Sequence, residues 1–345
     1  MTVTFNNRIK QVITLVILIA LLFVVVKSLH VFIPGILGAV TLYILSRENY
    51  FQLLYKRKWK PGLAAILYIL FYLVLFGIPI YLAVTLISPK LDGVVNNPTA
   101  TIDAFKKMVI DAQAKIGFTV ISEKTITGSL SKVATILPGF LNSTANLVTN
   151  LAIMLFLLYH MLINARQMER TLRNAIPLKD SNVDLLAAEG KKVVKANALG
   201  LPIIAIIQGI TATIGYVIFG VDDWALWGFL TAVCAFVPVV GTMLVWIPLV
   251  IYLFATGNDG RAIGLLIYSI VITGNVDYLA RITIMKRLGD VHPVITILGV
   301  IVGFNLFGFI GLIFGPLIIS YALVLFKIYM NEYVEDAEEQ SNKTE

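Results

Sequence analysis

Cysteine and histidine are nearly missing from this sequence. Its one cysteine, Cys234, lies in an apolar stretch, so it supplies neither an internal disulfide nor a Cys-rich metal site, and it says nothing about redox compartment. The three histidines, His30, His160 and His292, are far apart, and none belongs to an HExxH motif. GxSxG is absent as well, which leaves an intramembrane hydrolase with no visible nucleophile. The only Gly-Lys pair, Gly190–Lys191, is followed by Lys192 where a phosphate-binding loop needs Ser or Thr, so an ATP-driven pump has no motif here. No catalytic, metal or cofactor site is expected.

Charge is scarce too, at 14% of residues against about 25% in ordinary globular domains. Apolar residues make up 58% of the chain, and the mean hydropathy is +0.88, which places it among integral membrane proteins. The apolar runs are Val12–Leu29, Val31–Leu45, Leu63–Ile87, Asn146–Ile163, Leu199–Phe219, Trp224–Phe254, Ala262–Ala280 and Pro293–Tyr329. Several reach the roughly 20 residues that cross a hydrocarbon core about 30 Å thick. The first follows Arg8 and Lys10 as a signal peptide would, but it lacks a small-residue cleavage site and reads as a retained helix. The net charge of +7 is read through its distribution among loops rather than as a nucleic-acid footprint.

The loops differ in sign. Arg8 and Lys10, the cluster Arg47 to Lys60, the segment Ala165–Ala198 and the segment Arg281–His292 are basic, and the positive-inside rule puts them in the cytoplasm. Asp222–Asp223 and the mixed segment Ser88–Ala145 read as external. Five crossings from a cytoplasmic start leave Asp222–Asp223 outside, whereas two apolar runs separate it from the basic Arg281–Arg287. One of those runs must therefore enter and leave on the same side. Trp224–Phe254 contains "FVPVVGTMLVWIPLVIYLF", with Pro238, Gly241 and Pro248 available for a turn that ordinary membrane helices avoid. Pro293–Tyr329 has the same problem, and its centre carries Gly308, Gly311 and Pro316. The expected fold is an all-α polytopic membrane protein of about eight hydrophobic segments. Two oppositely oriented re-entrant hairpins in its C-terminal half form an inverted repeat, the general pointer to a transport site near the bilayer midplane. The alternative is that these glycines and prolines merely pack or kink ordinary helices.

The chain divides into N-terminal scaffold helices (1–88), an extracytoplasmic amphipathic segment (89–145) and a helix with a basic cytoplasmic segment (146–198). A transport core (199–330) and an acidic, disordered tail (331–345) follow. Within the second part, Thr99–Gly117 shows helical spacing of Ile102, Phe105, Val109, Ala112 and Ile116; it packs on a neighbouring protomer, lies on lipid or simply links. The basic segment suits anionic headgroups.

Asp277 is the carboxylate that lies within an apolar helix, beside Asn275 and four residues before Arg281. A buried carboxylate is costly unless paired or protonated, so it is either a proton- or cation-exchanging group or a residue near the cytoplasmic end of its helix, paired with Arg281 for structural reasons. Gln208, Thr211 and Thr213 face either solute or their own helix and its neighbours. Thr242 and Asn305 sit at the expected hairpin tips, where free backbone groups can hold a polar solute.

The C-terminal half resembles the AI-2E (autoinducer-2 exporter-like) transporter family. The resemblance is carried by Gln208–Gly209, Gly220, Trp227–Gly228, Pro238, Gly241, Asp277, His292–Pro293, Gly308, Gly311 and Pro316. Tyr278 and Ile282 stand where the family usually has Asn and Pro. The resemblance implies a homo-oligomeric secondary transporter, a ring of about five protomers by the family's pattern, with autoinducer-2 exporters and sodium(lithium)/proton antiporters among its members. The leading expectation is export of a small polar solute, autoinducer-2 by default, across a bacterial inner membrane, with both termini cytoplasmic. A cation/proton antiporter centred on Asp277 and a non-transporting membrane scaffold are the alternatives.

Overall fold

A computed structural model of the chain describes residues 2–96, 107, 110, 148–237, 240–288, 293–307 and 311–330. Apart from Lys107 and Ile110, the expected amphipathic helix Thr99–Gly117 lies outside the described residues, as do Pro238, Gly308 and the acidic tail 331–345. No strand occurs among the described residues. The helices are α1 (Thr2–Leu29), α2 (Ile33–Lys56), α3 (Pro61–Asn96), α4 (Val148–Ile163), α5 (Ala165–Ala175), α6 (Asp180–Ile218), α7 (Trp224–Cys234) and α8 (Met243–Ala255). They continue with α9 (Asp259–Tyr268), α10 (Gly274–Leu288), α11 (Pro293–Phe307) and α12 (Gly311–Tyr329). By length and composition, four runs among the described residues suit a bilayer: Lys10–Lys56, Pro61–Ile87, Asp180–Ile218 and Asp259–Ile284. The protein is a multi-pass α-helical membrane protein.

The first two apolar runs are not separated by a reversal. A single 3₁₀ turn, His30–Phe32, joins α1 to α2, and Leu29, Phe32 and Ile33 all keep right-handed helical dihedrals. Pro34 falls in the first turn of α2, where a missing N–H is harmless, so nothing in this stretch turns the chain back. The cytoplasmic N-terminus expected from Arg8 and Lys10 would need that reversal. Loop signs from Arg47 onward do not depend on it.

Two groups of helices follow. Leu42 and Tyr50 of α2, Ala64 and Tyr72 of α3, and Leu158 and Leu162 of α4 share one buried cluster. Inside it, Ser46 Oγ and the Tyr72 hydroxyl lie 2.7 Å apart. The second group is built on α6, whose 39 residues extend about 58 Å at 1.5 Å per residue. The basic segment expected as a separate cytoplasmic stretch is therefore partly the same helix as the span it precedes. Its N-terminal half meets α12, where Val193 and Val194 pack on Phe314 and Leu317. It meets α2 through Glu48, which takes both Lys191 and Lys195, the latter at 3.1 Å.

Each of the two expected hairpins consists of a pair of packed helices. α7 and α8, of 11 and 13 residues, extend about 17 and 20 Å, too little to cross a core of about 30 Å. In the connection between them, the Gly241 amide donates to the Val237 carbonyl at 3.1 Å, and a Cβ on Gly241 would stand 2.0 Å from the Cys234 carbonyl oxygen. Only glycine fits that approach. Pro248 and Pro316, expected as breakers, instead lie inside α8 and α12, so the chain turns before each of them. An interior proline removes one backbone hydrogen bond and crowds the carbonyl four residues earlier, which here leaves both helices continuous through it. In the second pair, Gly299 and Gly303 of α11 face Gly315 and Gly311 of α12 so closely that backbone touches backbone.

The inverted orientation of the two pairs is open to a direct check. Single cysteines at Asn258 and Arg287, in a background with Cys234 replaced, are expected to label from opposite membrane faces; labelling from one face would eliminate the two-hairpin topology. A third cysteine at Thr4, compared with Lys58, reads out whether α1 and α2 share one crossing.

Candidate functional site

Helices α6 and α9–α10 run antiparallel in a register set by glycines. A Cβ on Gly264 would meet the Phe219 ring at 2.3 Å, and one on Gly215 would meet the Tyr268 ring at 2.5 Å. The Tyr268 hydroxyl donates to the Thr211 carbonyl at 2.9 Å, and further along Ala196 and Ile204 cluster with Ala280, Ile284 and Leu288. This register brings Gln208 opposite Asp277. Between α9 and α10 the helix widens into a π turn, Ser269–Thr273, with Ser269 and Thr273 both buried. Single π turns are frequent at functional positions because they rotate the following residues off the regular helical phase.

At the level of that contact three polar side chains converge. Gln208 Nε2 donates to Asp277 Oδ1, and Arg281 Nη2 donates to the same oxygen at 3.0 Å. Gln208 is 1% exposed, and the Asp277 and Arg281 side chains retain 18% and 22%. The pair is thus largely but not wholly enclosed. Gln208 lies about 17 Å along α6 from Phe219, at 1.5 Å per residue, and the end marked by Phe219 also carries the Gly220–Arg261 contact. Nε and Nη1 of Arg281 are buried and have no hydrogen-bond partner among the described residues; Asn197 Oδ1, on the same face of α6 three turns earlier, is in the same condition.

The other expected site residues lie elsewhere. Asn275 is exposed, and its amide donates back to the Val271 carbonyl at 2.6 Å; Asn305 is exposed and donates to Ile301 at 3.1 Å. The Thr211 and Thr213 hydroxyls return to the carbonyls of Ile207 and Gly209. Thr242 is buried at the start of α8. The π turn and the unpaired nitrogens of Arg281 are features the sequence reading missed. A π turn has no side-chain signature, and Arg281 reads as a loop residue when the span is ended at Ala280. No group of three His, Cys, Asp or Glu side chains among the described residues is placed to hold a metal ion.

Interrupted helix pairs packed on a long apolar helix, with a largely enclosed carboxylate–guanidinium pair beside it, are an arrangement that polytopic membrane transporters use. A family model described as AI-2E family transporter matches residues 12–331, and the chain belongs to that family. Its relatives have names that propose a transport role and assign no cargo. One, from Aquifex aeolicus, is 30% identical over 182 residues, covering 53% of this chain and 52% of its own. Another, from Helicobacter pylori strain J99, is 28% identical over 223 residues, 62% and 63% of the two chains. YdiK of Escherichia coli K12 is 32% identical over 148 residues, covering 43% and 39%. The chain thus spans between 39% and 63% of the length of these relatives.

Proposed function

We propose that this transporter moves a small polar solute outward across a bacterial inner membrane without ATP, using the Gln208–Asp277–Arg281 cluster as its solute-facing site. The observation that carries this reading is the pair of buried donors on Arg281, Nε and Nη1, beside the Asp277 carboxylate. A buried donor with no acceptor costs about 1–3 kcal/mol, which an acceptor oxygen of a bound solute offsets. Autoinducer-2, a small oxygen-rich molecule, is the first solute to test, because the family takes its name from it. The hairpins α7–α8 and α11–α12 form an inverted repeat in this reading and move against the α2–α4 scaffold. The protein works as a homo-oligomer, a ring of five, with the Arg57–Lys60 connection and the C-terminus cytoplasmic, and it transports rather than catalyses.

The Asp277–Arg281 pair favours a second reading, sodium(lithium)/proton antiport, in which an external cation replaces the guanidinium on Asp277. Flux assays in proteoliposomes separate the two. Efflux of labelled autoinducer-2 is expected from wild-type protein, with no sodium-dependent signal from an internal pH dye. A dye signal that requires both sodium and Asp277 would replace export by antiport, and silence in both assays would leave a membrane scaffold.

A further inference from the structure

Away from the Asp277 cluster, the corner of the scaffold where α2 meets α3 and α4 meets α5 holds a cavity of about 310 Å³. Its lining includes Tyr50, Phe51, Tyr55 and Pro61 from the α2–α3 corner, with Leu162 and Arg166 from the α4–α5 corner. α5 leaves α4 at 89°. If α4 crosses the bilayer, α5 lies flat on its surface, so the cavity opens at headgroup depth. α5 suits that position, with Arg166, Arg170 and Arg173 in its 11 residues.

The corner is held rigid. Glu169 on α5 takes the Arg47 guanidinium, with one contact at 2.8 Å, and accepts from the Tyr43 hydroxyl at 2.6 Å. The Arg47 hydrogen bond, against the opposing effect of burial, holds the Glu169 carboxyl below its ordinary range. Arg173 is likewise committed, to Asp180 at 2.9 Å and Asp184 at 3.2 Å. Arg166 faces no carboxylate among the described residues; its guanidinium lies over the Tyr55 ring, 5.0 Å from the centroid. Phe51 stacks with Tyr55, ring centroids 5.9 Å apart. The basic connection Arg57–Lys60 follows directly.

We infer that this cavity is a binding site for one anionic phospholipid, whose phosphate meets Arg166 and whose glycerol and upper acyl carbons lie on the Tyr55, Phe51 and Leu162 wall. Two features select this occupant over a free anion. The lining is mostly aromatic and aliphatic, which a bare phosphate cannot use, and the mouth sits where headgroups are concentrated. A zwitterionic lipid is disfavoured because a phosphate on Arg166 would hold its ammonium against a rim of arginine and lysine that repels it. The site is distinct from the Asp277 cluster and does not depend on what that cluster transports.

Native mass spectrometry of the full-length protein, released from nanodiscs of mixed phosphatidylglycerol and phosphatidylcholine, tests this. One phosphatidylglycerol per chain is expected to be retained, and Arg166→Gln is expected to weaken its retention about tenfold, the scale of one charge-assisted hydrogen bond. Arg170→Gln removes the same charge from the same helix outside the cavity lining and is expected to leave retention unchanged. Equal losses in both variants would reduce the effect to general surface charge and overturn the site. Tyr55→Leu, which removes the ring but keeps an apolar wall, is expected to weaken retention as well. Displacement of the lipid by millimolar inorganic phosphate, with the same dependence on Arg166, would make this a free-anion site and overturn the lipid assignment.

Discussion

Asp277→Asn is expected to reduce solute flux by at least about a hundredfold while the protein still folds, because the carboxylate is the acceptor shared by Gln208 and Arg281. The stability effect has a characteristic form. Removing one partner of a buried ion pair strands the other charge, at a cost of about 3–5 kcal/mol when burial is complete. With about a fifth of each side chain exposed, the lower end of that range applies here. Arg281→Gln is expected to cost a similar amount, and the double variant Asp277→Asn/Arg281→Gln clearly less than the sum, since no charge is then left unpaired. Denaturant titration of the four proteins in detergent measures this coupling. Strict additivity would show that the two groups do not act as a pair. Flux separates roles that stability merges: a double variant that regains stability but not transport places the pair in the solute path, whereas recovery of both makes it structural.

Gly311→Ala is expected to be among the most damaging single methyl additions at the described residues. The added Cβ would lie 1.8 Å from the Gly303 carbonyl oxygen and 2.2 Å from its carbon, so backbone must part from backbone. Overpacking of this kind costs about 1–3 kcal/mol where side chains can yield, and more where, as here, only main chain is present. Separation of α11 from α12 is expected to lower the thermal midpoint and abolish transport together. Gly77→Ala is the internal control: it lies within α3, nothing stands within 4 Å of its added Cβ, and alanine favours the helix by up to about 1 kcal/mol. A Gly311→Ala protein as stable as the Gly77→Ala protein would contradict the close packing of the second hairpin.

These two sites were unequally legible in the sequence. The spacing of Asp277 and Arg281 is a helical i, i+4 step, so their pairing follows from a 3.6-residue period as soon as the stretch is read as helix. Asn275 shares the same local sequence, yet two residues along a helix is more than half a turn, and it faces away from the cluster. Gly311 was legible as a breaker. Its role as the partner of Gly303 was not, because the contact depends on how α11 and α12 align.

The sequence by itself determined the solvent of this protein, the breaks beside Gly241 and Gly311 and the family to which it belongs, since apolar run length and glycine act locally. Only the tertiary structure decided that Gln208 meets Asp277 across 69 positions of chain, that α1 continues into α2 without turning back, and that α5 leaves α4 at a right angle. Helical periodicity says which face a residue occupies and nothing about which helix lies opposite. That choice rests on the axial register of packed helices, set here by Gly215 against Tyr268 and Gly264 against Phe219, contacts between residues far apart in the chain.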